Sequence, residues 1–173
     1  AVVENPNYHK LLIVSDSAII PLPDLKQKQT LLKYVTTTAK AIGIACPKVA
    51  LVCATEQMIA SIPACVEAAL IAKMADRGQI KGCLVDGPLS LDLALDAETV
   101  AIKKLNSPVA GDADCLVFPN LESCNVFYKC CTKFDKSEIA AVLMGAKVPC
   151  VLSSRGDTAK TKLYSIALAA MLA

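Results

Sequence analysis

The chain has 173 residues, enough for one domain with a substantial core and a segment of a second. Its 18 Lys and Arg against 16 Asp and Glu leave a net charge of +2, with the lysines spread among acids rather than clustered with aromatics, so nucleic-acid binding has no support. No apolar run approaches the roughly 20 residues that span a bilayer, and the amino terminus lacks the basic, apolar, small-residue order of a signal peptide, which points to the cytoplasm.

The composition is 54% hydrophobic but only 4% aromatic, and the abundance of Ala, Val, Ile and Leu is what strands buried on both faces require. The nine cysteines are odd in number and mostly embedded in apolar patterns, where a thiol acts as a small core side chain in a reducing compartment. They form no Cys-x-x-Cys pair, and the single histidine, His9, lies far from the denser group at 124–131. Neither a metal site nor a Cys-His nucleophile is expected.

The elements alternate in chain order. Lys10–Ser15 reads as a strand ending in Ser15-Asp16-Ser17. A long helix follows from Asp24, a good N-cap, to about Ile42, with Gly43 as its stop. Leu25, Leu31, Leu32, Val35, Ala39 and Ile42 form its apolar face, which leaves Lys26, Gln27, Lys28, Gln29, Lys33 and Lys40 for solvent. Pro47–Ala54 is a second strand, and Ser61-Ile62-Pro63 starts a helix that runs to Asp76. Ile80–Val85 is a third strand, after which Asp86-Gly87-Pro88 reads as a turn into a helix. There Gly87 allows close backbone approach to a ligand and Pro88 suits the first helical turn. Asp114–Pro119 is a fourth strand, followed by a loop over Asn120–Asn125 and a helix around 126–132. Ile139–Met144 and Val148–Leu152 read as extended, and Ser153–Thr158 opens the last helix. Strands spaced by helices call for crossover connections, hence a three-layer α/β/α domain with a mostly parallel sheet.

In such a sheet the ligand cleft lies beyond the carboxyl ends of the strands. The polar loops carrying Asp16, Glu56, Asp86, Ser107, Asn120, Asn125, Ser154, Arg155 and Asp157 are expected to gather there. Ser154-Arg155-Gly156-Asp157 is the most chemical of them, since a hydroxyl, a guanidinium and free N–H groups at a helix start favour a phosphate or another anion. An N-capping serine beside an Arg–acid pair is the plainer reading of the same residues. No Gly-x-Gly-x-x-Gly and no phosphate-loop pattern is present, which argues against a dinucleotide fold or a nucleoside triphosphatase.

The order Ile80-Lys81-Gly82-Cys83-Leu84-Val85-Asp86-Gly87-Pro88-Leu89, Ser107-Pro108-Val109-Ala110-Gly111-Asp112, Asn125-Val126-Phe127-Tyr128-Lys129 and Ser154-Arg155 resembles the carboxyl-terminal part of the phosphate acetyl/butyryltransferase family, nearest its butyryltransferase branch. Asn7–Leu12, Ser15–Ala18, Pro47–Ala50 and Lys162–Ala169 also fit, so the resemblance covers nearly the whole chain. It implies transfer of a short acyl group, butyryl or acetyl, between coenzyme A and inorganic phosphate, with both as substrates and no metal or redox cofactor. It implies a fold like that of isocitrate and isopropylmalate dehydrogenases, and a homodimer.

By that resemblance Ser154 and Arg155 act on the reacting groups and the phosphate, while Asp86, Gly87, Pro88, Ser107, Gly111 and Asn125 line the cleft. Thr161 stands where the acetyltransferase branch has an aspartate proposed as base, which makes Asp157 the carboxylate offered in its place. Family members are longer, so residues 1–147 are expected to be the second, cleft-and-dimer domain and residues 148–173 a returning strand and helix of a largely absent first domain. The last helix would then expose an apolar face. A non-catalytic acyl-coenzyme A sensor within a larger enzyme is the alternative that the same resemblance allows.

Overall fold

The computed structural model describes residues 1–173. In chain order it contains β1 Val2–Glu4, β2 Leu12–Ser15, α1 Leu25–Ala41, β3 Lys48–Val52, α2 Pro63–Asp76, β4 Leu84–Leu89, α3 Leu91–Leu95, α4 Ala97–Lys103, β5 Cys115–Val117, α5 Leu121–Lys133, β6 Glu138–Ala140 and α6 Ala159–Met171. The strands form one sheet in the order β4-β3-β5-β2-β1-β6. Pairings among the first four are parallel, whereas β1 runs antiparallel to both β2 and β6. The sheet is therefore mixed. Its antiparallel member, Val2-Val3-Glu4, is too short to carry a periodic signal of its own.

Strand alternation builds two separate cores. Ile13, Val49, Leu51, Cys115 and Val117 point to one face, where α1, α2 and α6 cover them. Leu12, Val14, Ala50, Val52 and Leu116 point to the other, against α3 and α5. Each cluster holds 16 buried residues, so neither face of the sheet is left to water and a three-layer α/β/α arrangement results. Each fully buried aliphatic side chain contributes about 1.5–3 kcal/mol to that arrangement.

The first helix starts and stops as its sequence dictates. Asp24 accepts the Gln27 amide at 2.7 Å while the Gln27 side chain accepts the Asp24 amide at 2.9 Å, a reciprocal capping box. Gly43, at φ +100°, ends it. Lys28 departs from the expected solvent face, being only 7% exposed and ion-paired with Glu67 of α2. Three residues from both Leu25 and Leu31, it stands on the buried row, where a cation persists only with a partner.

Three further expectations need correction. Asp86-Gly87-Pro88 is part of β4 rather than a turn after it, with Asp86 opposite Ala50 and Leu89 opposite Val52 across a register shift. Gly87 serves strand packing, because a Cβ there would lie 2.7 Å from the Leu51 Cβ and 3.0 Å from its carbonyl oxygen. The following helix begins at Leu91, so Pro88 is not in its first turn. The stretch 120–125 is not a loop, since Asn120 caps α5 by accepting the Ser123 amide at 2.9 Å and the helix starts at Leu121. The pairing expected over 139–144 is confined to Glu138–Ala140, as β1 offers only three residues, and 148–152 contributes a single bridge, Leu143 to Cys150.

Candidate functional site

The polar residues singled out in the sequence divide between the two ends of the parallel strands. Ser107 and Gly111 lead into β5 and so lie at the amino-terminal end. The Ser107 hydroxyl accepts the amides of Val109 and Ala110, at 3.1 and 3.0 Å. Gly111, at φ +77°, lies so close to Ala97 that a Cβ would come within 2.9 Å of its α-carbon.

Beside them Asp112 accepts Lys48 Nζ at 2.7 Å, Lys10 Nζ at 2.8 Å and His9 Nε2 at 2.9 Å, while Asp114 pairs with Lys10 at 2.8 Å and accepts the Lys48 amide at 2.7 Å. Partial burial works to raise the Asp112 pKa, but the bonds from Lys10, Lys48 and His9 outweigh it and hold the carboxyl well below the usual range. Each charge here has a partner, which leaves the cluster the work of tying β2, β3 and β5 together.

The carboxyl-terminal end is built differently. After β2 the chain folds around the Asp16 carboxylate, which accepts the amides of Ala18, Ile19 and Ile20 at 3.0, 3.2 and 2.8 Å. That loop is fastened from outside, since Phe118 N donates to Ser15 O at 2.9 Å and Leu121 N to Pro21 O at 3.0 Å. Asn125 sits on α5, and its Nδ2 donates to the Ser17 carbonyl at 2.9 Å, which makes it a positioning residue for the loop. Glu56 at the exit of β3 pairs with Lys103 at 3.5 Å. The edge strand β4 keeps Asp86 three strands away from β2, and its carboxylate accepts the neighbouring Gly87 amide at 2.8 Å.

Ser154-Arg155-Gly156-Asp157 forms a turn of its own ahead of α6. The Ser154 amide donates to Asp157 Oδ2 at 2.7 Å, and the Asp157 amide donates to the Ser154 carbonyl at 3.1 Å. Helix capping falls instead to Thr158, whose hydroxyl accepts the Thr161 amide at 3.1 Å. Ser154 and Arg155 are exposed, and Arg155 enters none of the nine ion pairs of the fold. Tyr128, one helical turn beyond Asn125, has its hydroxyl pKa raised first by burial and then by the Asp157 charge.

A cavity of about 130 Å³ opens beside these groups, lined by the 15–20 loop, by α1, by residues 141–144 and by Leu152 and Leu168. Its position off the exit of β2 and next to the Ser154 turn joins the parts of this end into one candidate site.

The model of the family described as "Phosphate acetyl/butaryl transferase" matches residues 1–170. The chain belongs to that family. Among curated relatives of the transferase family, it is 43% identical to a phosphate acetyltransferase of Thermotoga maritima over 173 residues, all of this chain and 59% of the relative. It is 45% identical to a phosphate butyryltransferase of Clostridium acetobutylicum, over all of this chain and 58% of the relative. Among solved structures, a branched-chain phosphotransacylase from Enterococcus faecalis superimposes with a TM-score of 0.90 at 33% identity, over 99% of this chain and 61% of the other. The chain thus spans less than two thirds of the length of these transferase relatives.

Several features of this family member were not legible in its sequence. The row Leu31, Tyr34, Val35 and Thr38 on α1 faces the cavity with the i, i+3, i+4, i+7 spacing of an ordinary core stripe, which gave no sign of a void. The carboxylate-centred loop had a weak signal in Ser15-Asp16-Ser17, because Asp accepts amides from the residues just after it. Cys124, by contrast, is the core side chain that its apolar surroundings in the sequence imply: it is fully buried and its thiol is pushed up to about 12, chiefly by burial.

Proposed function

We propose that the chain is the site-bearing part of a phosphate acyltransferase that moves a short acyl group, butyryl or acetyl, between coenzyme A and inorganic phosphate, at the carboxyl-terminal end of the parallel strands. The observation that carries this reading is the family match over residues 1–170. The exposed Ser154-Arg155 turn, with a guanidinium no acid neutralises, suits the phosphate that the reaction needs.

In the direction of acyl phosphate formation a phosphate oxygen attacks the thioester carbonyl, an oxyanion develops on the tetrahedral carbon, and the coenzyme A thiolate leaves and takes a proton. Arg155 pairs with the phosphate oxygens through two parallel N–H bonds. Ser154 donates its hydroxyl to the developing charge. Asp157, held by the Ser154 amide at 2.7 Å, exchanges the thiol proton, as a base when the thiol attacks and as an acid when it leaves. Asn125 acts one step back by fixing the Ser15–Ile20 loop. Coenzyme A and phosphate are substrates in this scheme, and no metal or redox group takes part. Asp86, Gly87, Pro88, Ser107 and Gly111, expected to line the cleft, are given no step in this scheme: Gly87, Pro88 and Gly111 are engaged in packing, Ser107 in a turn, and Asp86 stands on β4, three strands from β2.

Residues 1–147 are proposed as the cleft and dimer domain of an isocitrate dehydrogenase-like architecture, with 148–173 as a segment completed by another domain. What supports the division is the apolar surface that the 148–173 segment leaves exposed, Leu163 and Ile166 of α6 at 61% and 60% and Val148 at 64%. Homodimerisation and a cytoplasmic location belong to the same proposal, the latter supported by nine free thiols, five of them buried.

The test is release of free thiol from butyryl- and acetyl-coenzyme A in the presence of orthophosphate. Phosphate-dependent release that falls about 100-fold in Arg155→Gln fits the proposal. Coenzyme A binding by calorimetry with no release would favour an acyl-coenzyme A sensor, and neither binding nor release would overturn both readings. An Asp157→Asn protein with full turnover would remove Asp157 as the base.

A further inference from the structure

Native cores seldom keep voids much larger than a water molecule, yet a cavity of about 130 Å³ stands between β2, α1 and the 141–144 segment. Its inner wall is made by Leu31, Val35 and Thr38 of α1, which are 4%, 3% and 4% exposed, so these side chains are fixed by the core behind them. Tyr34, on the same row, stands directly against Gly145, where φ is +97° and no Cβ intervenes. The rim is different in character. Ile19 and Leu152, at 50% and 59% exposure, leave an entrance, and the backbone of Ser15-Asp16-Ser17 supplies its polar lip. Leu152 is two residues from Ser154 and three from Arg155. A largely apolar chamber thus opens beside the segment that leads into the Ser154-Arg155 turn, with the polar 15–17 stretch among its lining.

Resting on the acyl-transfer reading above, we propose that this cavity receives the alkyl tail of the acyl group, and that Val35 and Thr38 at its floor set the longest chain accepted. Size supports it. An apolar cavity of about 150 Å³ holds a six-carbon ring, so this slightly smaller one suits a tail of about four carbons, which admits the propyl tail of butyryl but not the pentyl tail of hexanoyl. The carbonyl then lies at the polar lip, between the 15–17 backbone and the Ser154 turn, where phosphate and thiol meet. Acetyl leaves the chamber empty and hexanoyl overfills it.

The test compares kcat/KM for acetyl-, butyryl- and hexanoyl-coenzyme A with orthophosphate in the unsubstituted protein, Thr38→Leu and Val35→Ala. A methylene gained or lost in an apolar pocket changes discrimination by about 10–200-fold. Thr38→Leu is therefore expected to lower the butyryl-to-acetyl ratio about tenfold or more. Val35→Ala is expected to raise the hexanoyl-to-butyryl ratio by a similar factor, a gain that a damaged fold does not produce. Both ratios unchanged would overturn the proposal. Titration with butyramide, followed by the methyl resonances of Leu31 and Val35, separates this inference from the function on which it rests. If no acyl-coenzyme A is turned over but butyramide shifts those methyls, and Thr38→Leu abolishes the shift, the short-chain site stands and the acyl-transfer reading falls. If butyramide leaves the methyls unmoved, the site falls whatever the turnover.

Discussion

The two ends of the parallel strands draw on the same residue types and use them in opposite ways. At the amino-terminal end His9, Lys10, Lys48, Asp112 and Asp114 satisfy one another, and Gly111 and Ser107 are consumed by packing and a turn. At the carboxyl-terminal end Asp16 and Asn125 build a loop, a cavity lies beside it, and Arg155 is left exposed and unpaired. A charge with all its partners holds strands together, whereas a charge without one is available to a ligand. Polar residues in glycine-bearing loops do not distinguish these cases in sequence; their hydrogen-bond partners do.

The sharpest break in that comparison is Arg155→Gln. It should lower kcat/KM with phosphate about 100-fold, while the urea midpoint stays where it is because no ion pair is lost. Gly87→Ala carries the comparison into the body of the sheet. The added Cβ meets Leu51 and Ala68, so the expected cost is about 1–3 kcal/mol in urea unfolding, with coenzyme A binding intact in whatever fraction remains folded.

Asp112→Asn should cost less, about 1 kcal/mol, since solvent screens a half-exposed cluster. Its pH dependence has a definite sign. The folded-state pKa of Asp112 is depressed below the unfolded value near 3.9, so its stabilisation is complete above that value and is lost as pH falls through the folded pKa. The stability gap between wild type and Asp112→Asn should therefore be constant from pH 6 to 8 and narrow progressively as pH falls below about 4, as measured by unfolding at each pH. Smallest of all, Thr158→Ala removes the cap of α6 and should cost about 0.5–1 kcal/mol, read by the same unfolding curves.

Local chemistry explains what could be read in advance. The first helix was legible from end to end because Asp24, Gln27 and Gly43 determine its ends by short-range bonds. The parallel core strands were legible because Val49–Val52 and Cys115–Val117 are buried on both faces. The Asp86-Gly87-Pro88 stretch misled because an edge strand pressed against its neighbour also needs a glycine, and only the contact with Leu51 reveals that. Lys28 misled because its partner Glu67 lies 39 residues away. The family was legible in the order of its motifs, but the partition of site residues between the two ends was not. That partition depends on which end of β5 a loop joins.

The most direct measurement is a paired one, turnover of butyryl-coenzyme A with orthophosphate and the urea midpoint, on Arg155→Gln and Asp112→Asn side by side. The structure predicts a crossing: Arg155→Gln loses turnover and keeps its midpoint, and Asp112→Asn lowers its midpoint while the folded protein turns over at the wild-type rate. Loss of turnover in Asp112→Asn with Arg155→Gln fully active would contradict the assignment of function to the carboxyl-terminal end.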